Sequence, residues 1–214
     1  MRTIFLVLSL FLLQATSFAE GKFNFGVKFG LVNSSIKHET KNVDQFTPNY
    51  SSVFKDNRNG PLVGGFTEFN LINYLSFNFE LNYLQRGAQA KFPVTTVEDP
   101  DGSAGNYAIY DFQLDYLQSL IAVQPSFNFM QTSIYGKFGL TLNYLLKASG
   151  YAMWYNAKDL SLGHSWGFGI KLNKIFDYTL LLEICRDMDF SEFYSDSIVK
   201  MKNEAWVFKF GIIL

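Results

Sequence analysis

The chain is predicted to be all-β, with eight antiparallel up-and-down strands closed into a transmembrane β-barrel. Three observations carry that prediction. Apolar and polar residues alternate over runs of about ten, the length a tilted strand needs to cross a bilayer. The connections between these runs alternate long and short, as in barrels with long loops at one end and tight turns at the other. The alternating apolar faces are rich in Phe, Tyr and Trp, which make up 18% of the 214 residues. After the first twenty residues no run is apolar and unbroken enough for a spanning helix, so only a closed barrel could satisfy its backbone inside lipid.

The first twenty residues read as an export signal. Arg2 precedes the apolar run 4–13, and Ser17-Phe18-Ala19 places small residues where a signal peptidase cuts. The run is about half of a membrane span. Cleavage is expected after Ala19, giving a signal peptide over 1–19 and a barrel domain over 20–214. The net charge of −1 offers nothing to a nucleic acid. Cys185 is the single cysteine, so no intramolecular disulfide staples the fold, and it reads as a small packing residue.

Along the mature chain, Phe23, Phe25, Val27, Phe29 and Leu31 alternate with Asn24, Gly26, Lys28 and Gly30. Residues 36–60 turn polar and read as a long loop. A less regular strand over 62–71 carries Glu68 and Asn70 on its polar side. A short turn leads to LSFNFELNYLQRG, residues 75–87, where Leu75, Phe77, Phe79, Leu81 and Tyr83 oppose Ser76, Asn78, Glu80, Asn82 and Arg86. Residues 93–107 form a second long loop. In 109–129, Asp111, Gln113 and Asp115 alternate with Tyr110, Phe112, Leu114 and Tyr116, and the alternation slips near Gln118, which predicts a bulge there. After a tight turn at 130–133, Phe138, Leu140, Leu142, Tyr144 and Leu146 oppose Tyr135, Lys137, Thr141, Asn143 and Lys147. Beyond the loop 149–159, His164, Trp166, Phe168 and Ile170 face away from Gly167, Gly169 and Lys171. Leu180, Leu182 and Ile184 oppose Glu183, Cys185 and Asp187. After the loop 189–202, the final strand sets Trp206, Phe208, Phe210 and Ile212 against Lys209 and Gly211.

A soluble lipocalin-like barrel would also alternate, but its apolar face would line a cavity. The polar faces here are rich in Gly, Asn and Ser with scattered charges, which suits a crowded hydrated lumen. The lumen is therefore predicted to receive Lys28, Glu68, Glu80, Arg86, Asp111, Asp115, Lys137, Lys147, Lys171, Glu183, Asp187 and Lys209. An eight-stranded barrel is just wide enough for side chains to fill, so these should form a closed network of ion pairs. Glu80 and Arg86 stand out as candidate partners.

Catalysis is not expected. His38 lies near Ser34, Ser35 and Asp44, but a lone loop histidine is ordinarily solvated, and no G-x-S-x-G motif occurs. The acidic stretch 98–102 lacks the spacing of a calcium loop and reads as a turn. Neither a metal nor a cofactor is expected. Phe46, Tyr50 and Phe54 in the first long loop could contact a partner.

With the strands laid out, the chain resembles the outer-membrane β-barrel domain family, which includes PorT-like and OmpX/OmpA-like proteins of Gram-negative bacteria. The resemblance spans nearly the whole mature chain. Its markers are Gly26 to Gly30, then Glu80, Leu81, Tyr83 and Gly87, then Asp115-Tyr116-Leu117. Gly139 to Leu145, Gly167 with Gly169, Glu183 and the aromatic last strand follow. Ser119 and Leu214 depart from the commoner Pro and terminal aromatic. The resemblance implies an eight-stranded barrel in the outer membrane, inserted by the barrel-assembly machinery and surrounded by outer-membrane lipid. It implies a structural role, or support of secretion or binding through the loops with other envelope or secretion-system proteins. The alternatives are a narrow solute conduit or a lipid-modifying outer-membrane enzyme.

Overall fold

The computed structural model describes residues 23–40, 56–93, 107–150, 157–175, 178–195 and 199–214. The expected signal segment 1–19, the loop aromatics Phe46, Tyr50 and Phe54, and the acidic stretch 98–102 lie outside the described residues. His38 falls on a strand, with its side chain outside them.

Nine strands are described: β1 (Phe23–Thr40), β2 (Asp56–Ile72), β3 (Leu75–Pro93), β4 (Tyr107–Phe129), β5 (Thr132–Gly150), β6 (Leu160–Ile175), β7 (Tyr178–Asp189), β8 (Tyr194–Ser195) and β9 (Val199–Ile213). Each long strand pairs antiparallel with the next, and β1 pairs with β9, so β1 to β7 and β9 close an eight-membered ring. The short β8 pairs only with β9 and stands outside the ring. Closure leaves no sheet edge for lipid to meet unpaired.

The strands run further than their apolar alternation. β1 continues to Thr40 and β2 begins at Asp56, so both ends of the expected loop 36–60 are strand. Backbone pairing needs no apolar side chains, and Asn33, Asn57 and Asn59 carry it onward through side-chain bonds of 2.7 and 2.8 Å. The tight connections, such as those at 73–74 and 130–131, lie at the end where β1 starts and β9 finishes.

A period of two splits every strand into an inward and an outward face. Outward, Phe29, Leu31, Phe77, Phe79, Ile121, Phe138, Leu140, Phe168, Leu182 and Phe208 are all exposed. On β5 this apolar face runs from Ile134 to Leu146, about 40 Å of strand, which at a tilt near 40° stands about 30 Å high. That is the depth of a bilayer's hydrocarbon core.

Strand β4 departs from expectation. Its register with β3 is unbroken from Leu75 opposite Pro125 to Pro93 opposite Tyr107, so no bulge lies at Gln118. The bulge is beside it on β5, where Asp115 pairs with Lys147 but Tyr116 pairs with Leu145, leaving Leu146 extra. Phe112, Leu114 and Tyr116 consequently point inward, fully buried. Asp111, Gln113 and Asp115 point outward.

Candidate functional site

The inward faces fill the lumen in layers. Nearest the tight turns, Lys171 on β6 donates to both oxygens of Glu68 on β2 at 2.5 Å. Outside this pair a polar mouth of about 600 Å³ opens, edged by Asn24, Asn70, Ser133 and Asn173.

The middle layer gathers three lysines around two carboxylates. Lys28 Nζ reaches Glu80 Oε1 at 2.5 Å and Glu183 Oε2 at 2.8 Å. Lys137 pairs with Glu80 and lies 3.2 Å from Glu183 Oε1, while Lys209 reaches Glu80 Oε2 at 2.9 Å. Tyr135 donates its hydroxyl to Glu183 at 2.7 Å, and the Asn82 amide donates to Glu80 at 3.1 Å. Glycine makes room for these long side chains: a Cβ at Gly169 would lie 2.6 Å from the Tyr135 ring, and one at Gly211 3.0 Å from Lys28.

Above it, Arg86 on β3 forks between two aspartates of β7, with Nη2 2.7 Å from Asp187 and Nη1 3.1 Å from Asp189. Gln118 donates to Asp187 at 3.2 Å, and Asn143 donates to Asp189 at 3.0 Å. Glu80 and Arg86 therefore do not pair. Six residues apart on one strand, they stand about 20 Å from each other and belong to different layers.

At the top the lumen turns apolar. Val32, Leu62, Leu84, Phe112, Leu114, Met201 and Val207 converge on Phe193, which is fully buried. Phe193 comes from the segment between β7 and β9. Its ring packs 5.9 Å from Phe112, its N–H donates to the Met201 carbonyl at 3.0 Å, and its carbonyl accepts from Lys158 at 2.7 Å. Next to it, Lys200 pairs with Glu192 at 2.7 Å and holds that carboxyl below the usual carboxylate range.

Among the described residues, the lumen buries Lys28, Arg86, Lys137, Lys171 and Lys209 against Glu68, Glu80, Glu183, Asp187 and Asp189. Five positive charges meet five negative ones, which is the condition for keeping them out of water. Nine of these ten were predicted from alternation. Asp189 was not, because it sits where the apolar pattern had already ended.

Three predicted lumen residues lie elsewhere. By strand register Asp111 and Asp115 share the outer face of β4, opposite in sense to Phe112 and Leu114, and Asp115 is itself nearly buried there. Asp111 accepts from Arg58 Nε at 3.1 Å, and Asp115 accepts from Gln113 at 2.8 Å. Arg58 reaches Asp111 and Gln113 across Gly87, whose positive φ of 145° suits a residue without a side chain. Lys147, displaced by the β5 bulge, is exposed.

His164 lies on the outer face and stacks on Phe190 at 4.6 Å. Cys185 is buried on the inner face of β7. Among the described residues no three His, Cys, Asp or Glu side chains group as metal ligands.

Comparison with known proteins agrees with this architecture. Residues 14–188 match the family model described as outer membrane protein beta-barrel domain. Among solved structures, the outer membrane protein OprG from Pseudomonas aeruginosa aligns with 9% identity over 90% of this chain and 96% of its own, at a TM-score of 0.51. The outer membrane protease OmpT from Escherichia coli aligns with 9% identity over 90% of this chain and 96% of its own, at 0.48. Neisserial surface protein A aligns with 12% identity over 89% and 97%, at 0.47. At such identities the likeness to OprG is one of fold alone. No curated protein matches the sequence.

Proposed function

The chain belongs to the outer membrane protein β-barrel domain family, and from that premise we propose a closed, non-catalytic barrel that works through its loop-bearing end. One observation carries the reading: the lumen holds five cations locked to five carboxylates, beneath an apolar cap. An ion crossing this lumen would have to break several buried pairs at once, and a solute would have no continuous water path. Each described carboxylate of the lumen already faces a cation, which leaves none of them poised as a general base. Residues 1–19 act as the cleaved export signal in this reading. The tight turns face the periplasm and the long connections face outward, as is usual for such barrels.

The tie to other envelope proteins is tested with a photo-crosslinking residue placed in intact cells. Positions Asn59 and Lys147 report on the outward collar, and Tyr74 on a periplasmic turn; all three are exposed. Protein crosslinks from Asn59 or Lys147 are expected. Crosslinks confined to Tyr74 would overturn the outward-facing role.

A further inference from the structure

At the tight-turn end of the ring the lumen opens as the polar mouth of about 600 Å³. Strand register sets what lines it. Glu68 on β2 is the direct partner of Asn24 on β1, and Lys171 on β6 is the direct partner of Ser133 on β5. By the period of two, Asn70 and Asn173 follow on the same inward face, one step nearer the turns. The buried Glu68–Lys171 pair is thus a floor ringed by amides and hydroxyls. Ile213 closes one side, with Leu71 and Ile72 at the lip.

The ring is neutral. Lys171 donates to both oxygens of Glu68 at 2.5 Å, so the two charges of the floor are taken up by each other. The remaining polar groups carry donors and acceptors without charge. Their bonds to one another are long: the Asn173 amide donates to Ser133 at 3.5 Å, and Thr179 donates to Asn173 at 3.3 Å. Bonds of that length are weak and exchange readily for a ligand's.

We infer that this mouth binds the end of an N-acetylated sugar chain. The amide of Asn70 or Asn173 offers a donor and an acceptor side by side, the match of an acetamido group, while Asn24, Ser133 and Thr179 suit hydroxyls. The aliphatic side at Ile213 accommodates the acetyl methyl. A free peptide end would bring a charge, and among the described lining residues no unpaired charge stands ready to receive it. The volume falls within the roughly 300–1,000 Å³ of small-ligand sites, which leaves room for a disaccharide and too little for a folded partner. With the tight turns in the periplasm, the mouth faces the compartment whose wall glycan is built from such sugars. The inference takes that direction from the orientation proposed above; the binding itself does not depend on it.

The test uses the isotope-labelled protein in detergent micelles, where both ends of the ring are open to added ligand. Backbone amide shifts are followed as N,N′-diacetylchitobiose is titrated. Cellobiose, which has the same linkage and no acetamido groups, and an N-acetylated dipeptide amide serve as the other arms. Saturable shifts at Asn70, Ser133 and Asn173 are expected with the diacetylated sugar, and binding about tenfold weaker with cellobiose. Asn70→Leu with Asn173→Leu should lower the affinity about tenfold or more, while Lys147→Ala at the other end leaves it unchanged. A boiled-against-unboiled gel shift checks that each variant is folded. Asn70→Ala alone, which removes one amide without filling the mouth, gives a second reading of about threefold or more. No saturable shift, equal binding of cellobiose or of the dipeptide amide, or unaltered affinity in the Asn70 and Asn173 variants would overturn the inference. Such a failure leaves the outward role standing, because that role is read from crosslinks at Asn59 and Lys147.

Discussion

Below Arg86 the lumen is filled mainly with charge; level with it and above, β4 points Leu114 and Phe112 inward. The difference follows from what lies outside the wall at each height. At bilayer depth the outer face meets hydrocarbon, so Phe77, Phe79, Ile121 and Phe138 must face out, and polar residues are left for the interior. Apolar side chains gain nothing there by moving from lipid to lumen. Ion pairs hold that part together. Above the belt the outer face meets water, and burying apolar surface becomes favourable again. β4 records the switch within one strand. Its lower half has Ile121 and Val123 outside and Gln118 and Gln124 inside; its upper half has Asp111 and Asp115 outside and Phe112 and Leu114 inside.

If that contrast is correct, the two regions should break differently. The largest loss is expected from Glu80→Gln, which leaves Lys28, Lys137 and Lys209 facing Glu183 alone. Removing one partner of a buried charge set costs about 3–5 kcal/mol, read as a lower urea midpoint for the barrel in lipid vesicles. A loss below about 1 kcal/mol would mean that water reaches the pairs.

Phe193→Ala should cost about 3 kcal/mol where the ring packs, but as local opening, because Phe193 is carried on a segment outside the ring. Hydrogen exchange at the Lys158 and Phe193 amides should speed up while the global urea midpoint stays in place. A matching fall in the midpoint would merge cap and barrel into one cooperative unit.

A double-mutant cycle sharpens the layering. Glu80→Gln and Lys137→Met should couple by 1 kcal/mol or more, roughly as for groups in direct contact, while Glu80→Gln and Arg86→Met should add within about 0.5 kcal/mol. Strong coupling between Glu80 and Arg86 would dissolve the separate layers. The smallest effect belongs to Lys147→Ala, within about 0.5 kcal/mol of wild type, since it stands outside the network; a larger drop would return it to the lumen.

These same heights explain what could be read from the sequence. On β3, β5 and β9 the alternation lies mostly within the belt, where apolar means outward, and Glu80, Lys137 and Lys209 were placed by that rule. On β4 the same rule crosses the membrane border, where its sign reverses, so it places Asp111 and Asp115 inward although they share the outer face. The apparent slip near Gln118 is the border itself. Lys147 depends on a bulge at Leu146 that a run of Tyr144, Leu145 and Leu146 does not advertise. Asp189 continues the inward period of Glu183, Cys185 and Asp187 one step beyond the apolar pattern, while Phe193 lies where no period remains, and only the folded segment between β7 and β9 reveals that it points inward. The pairing of Glu80 with lysines from three other strands is set by strand register around the ring, which a linear pattern does not contain.

The central claim is that the charged layers close the lumen by themselves, with the apolar cap as a second and separate closure. Single-channel recording in planar bilayers tests it, with the wild-type barrel and Phe193→Ala compared under the same voltage. The expected result is no stable conductance steps from either protein. Steady steps from the wild type would contradict a closed lumen, and steps from Phe193→Ala alone would show that the cap, and not the ion network, is what seals it.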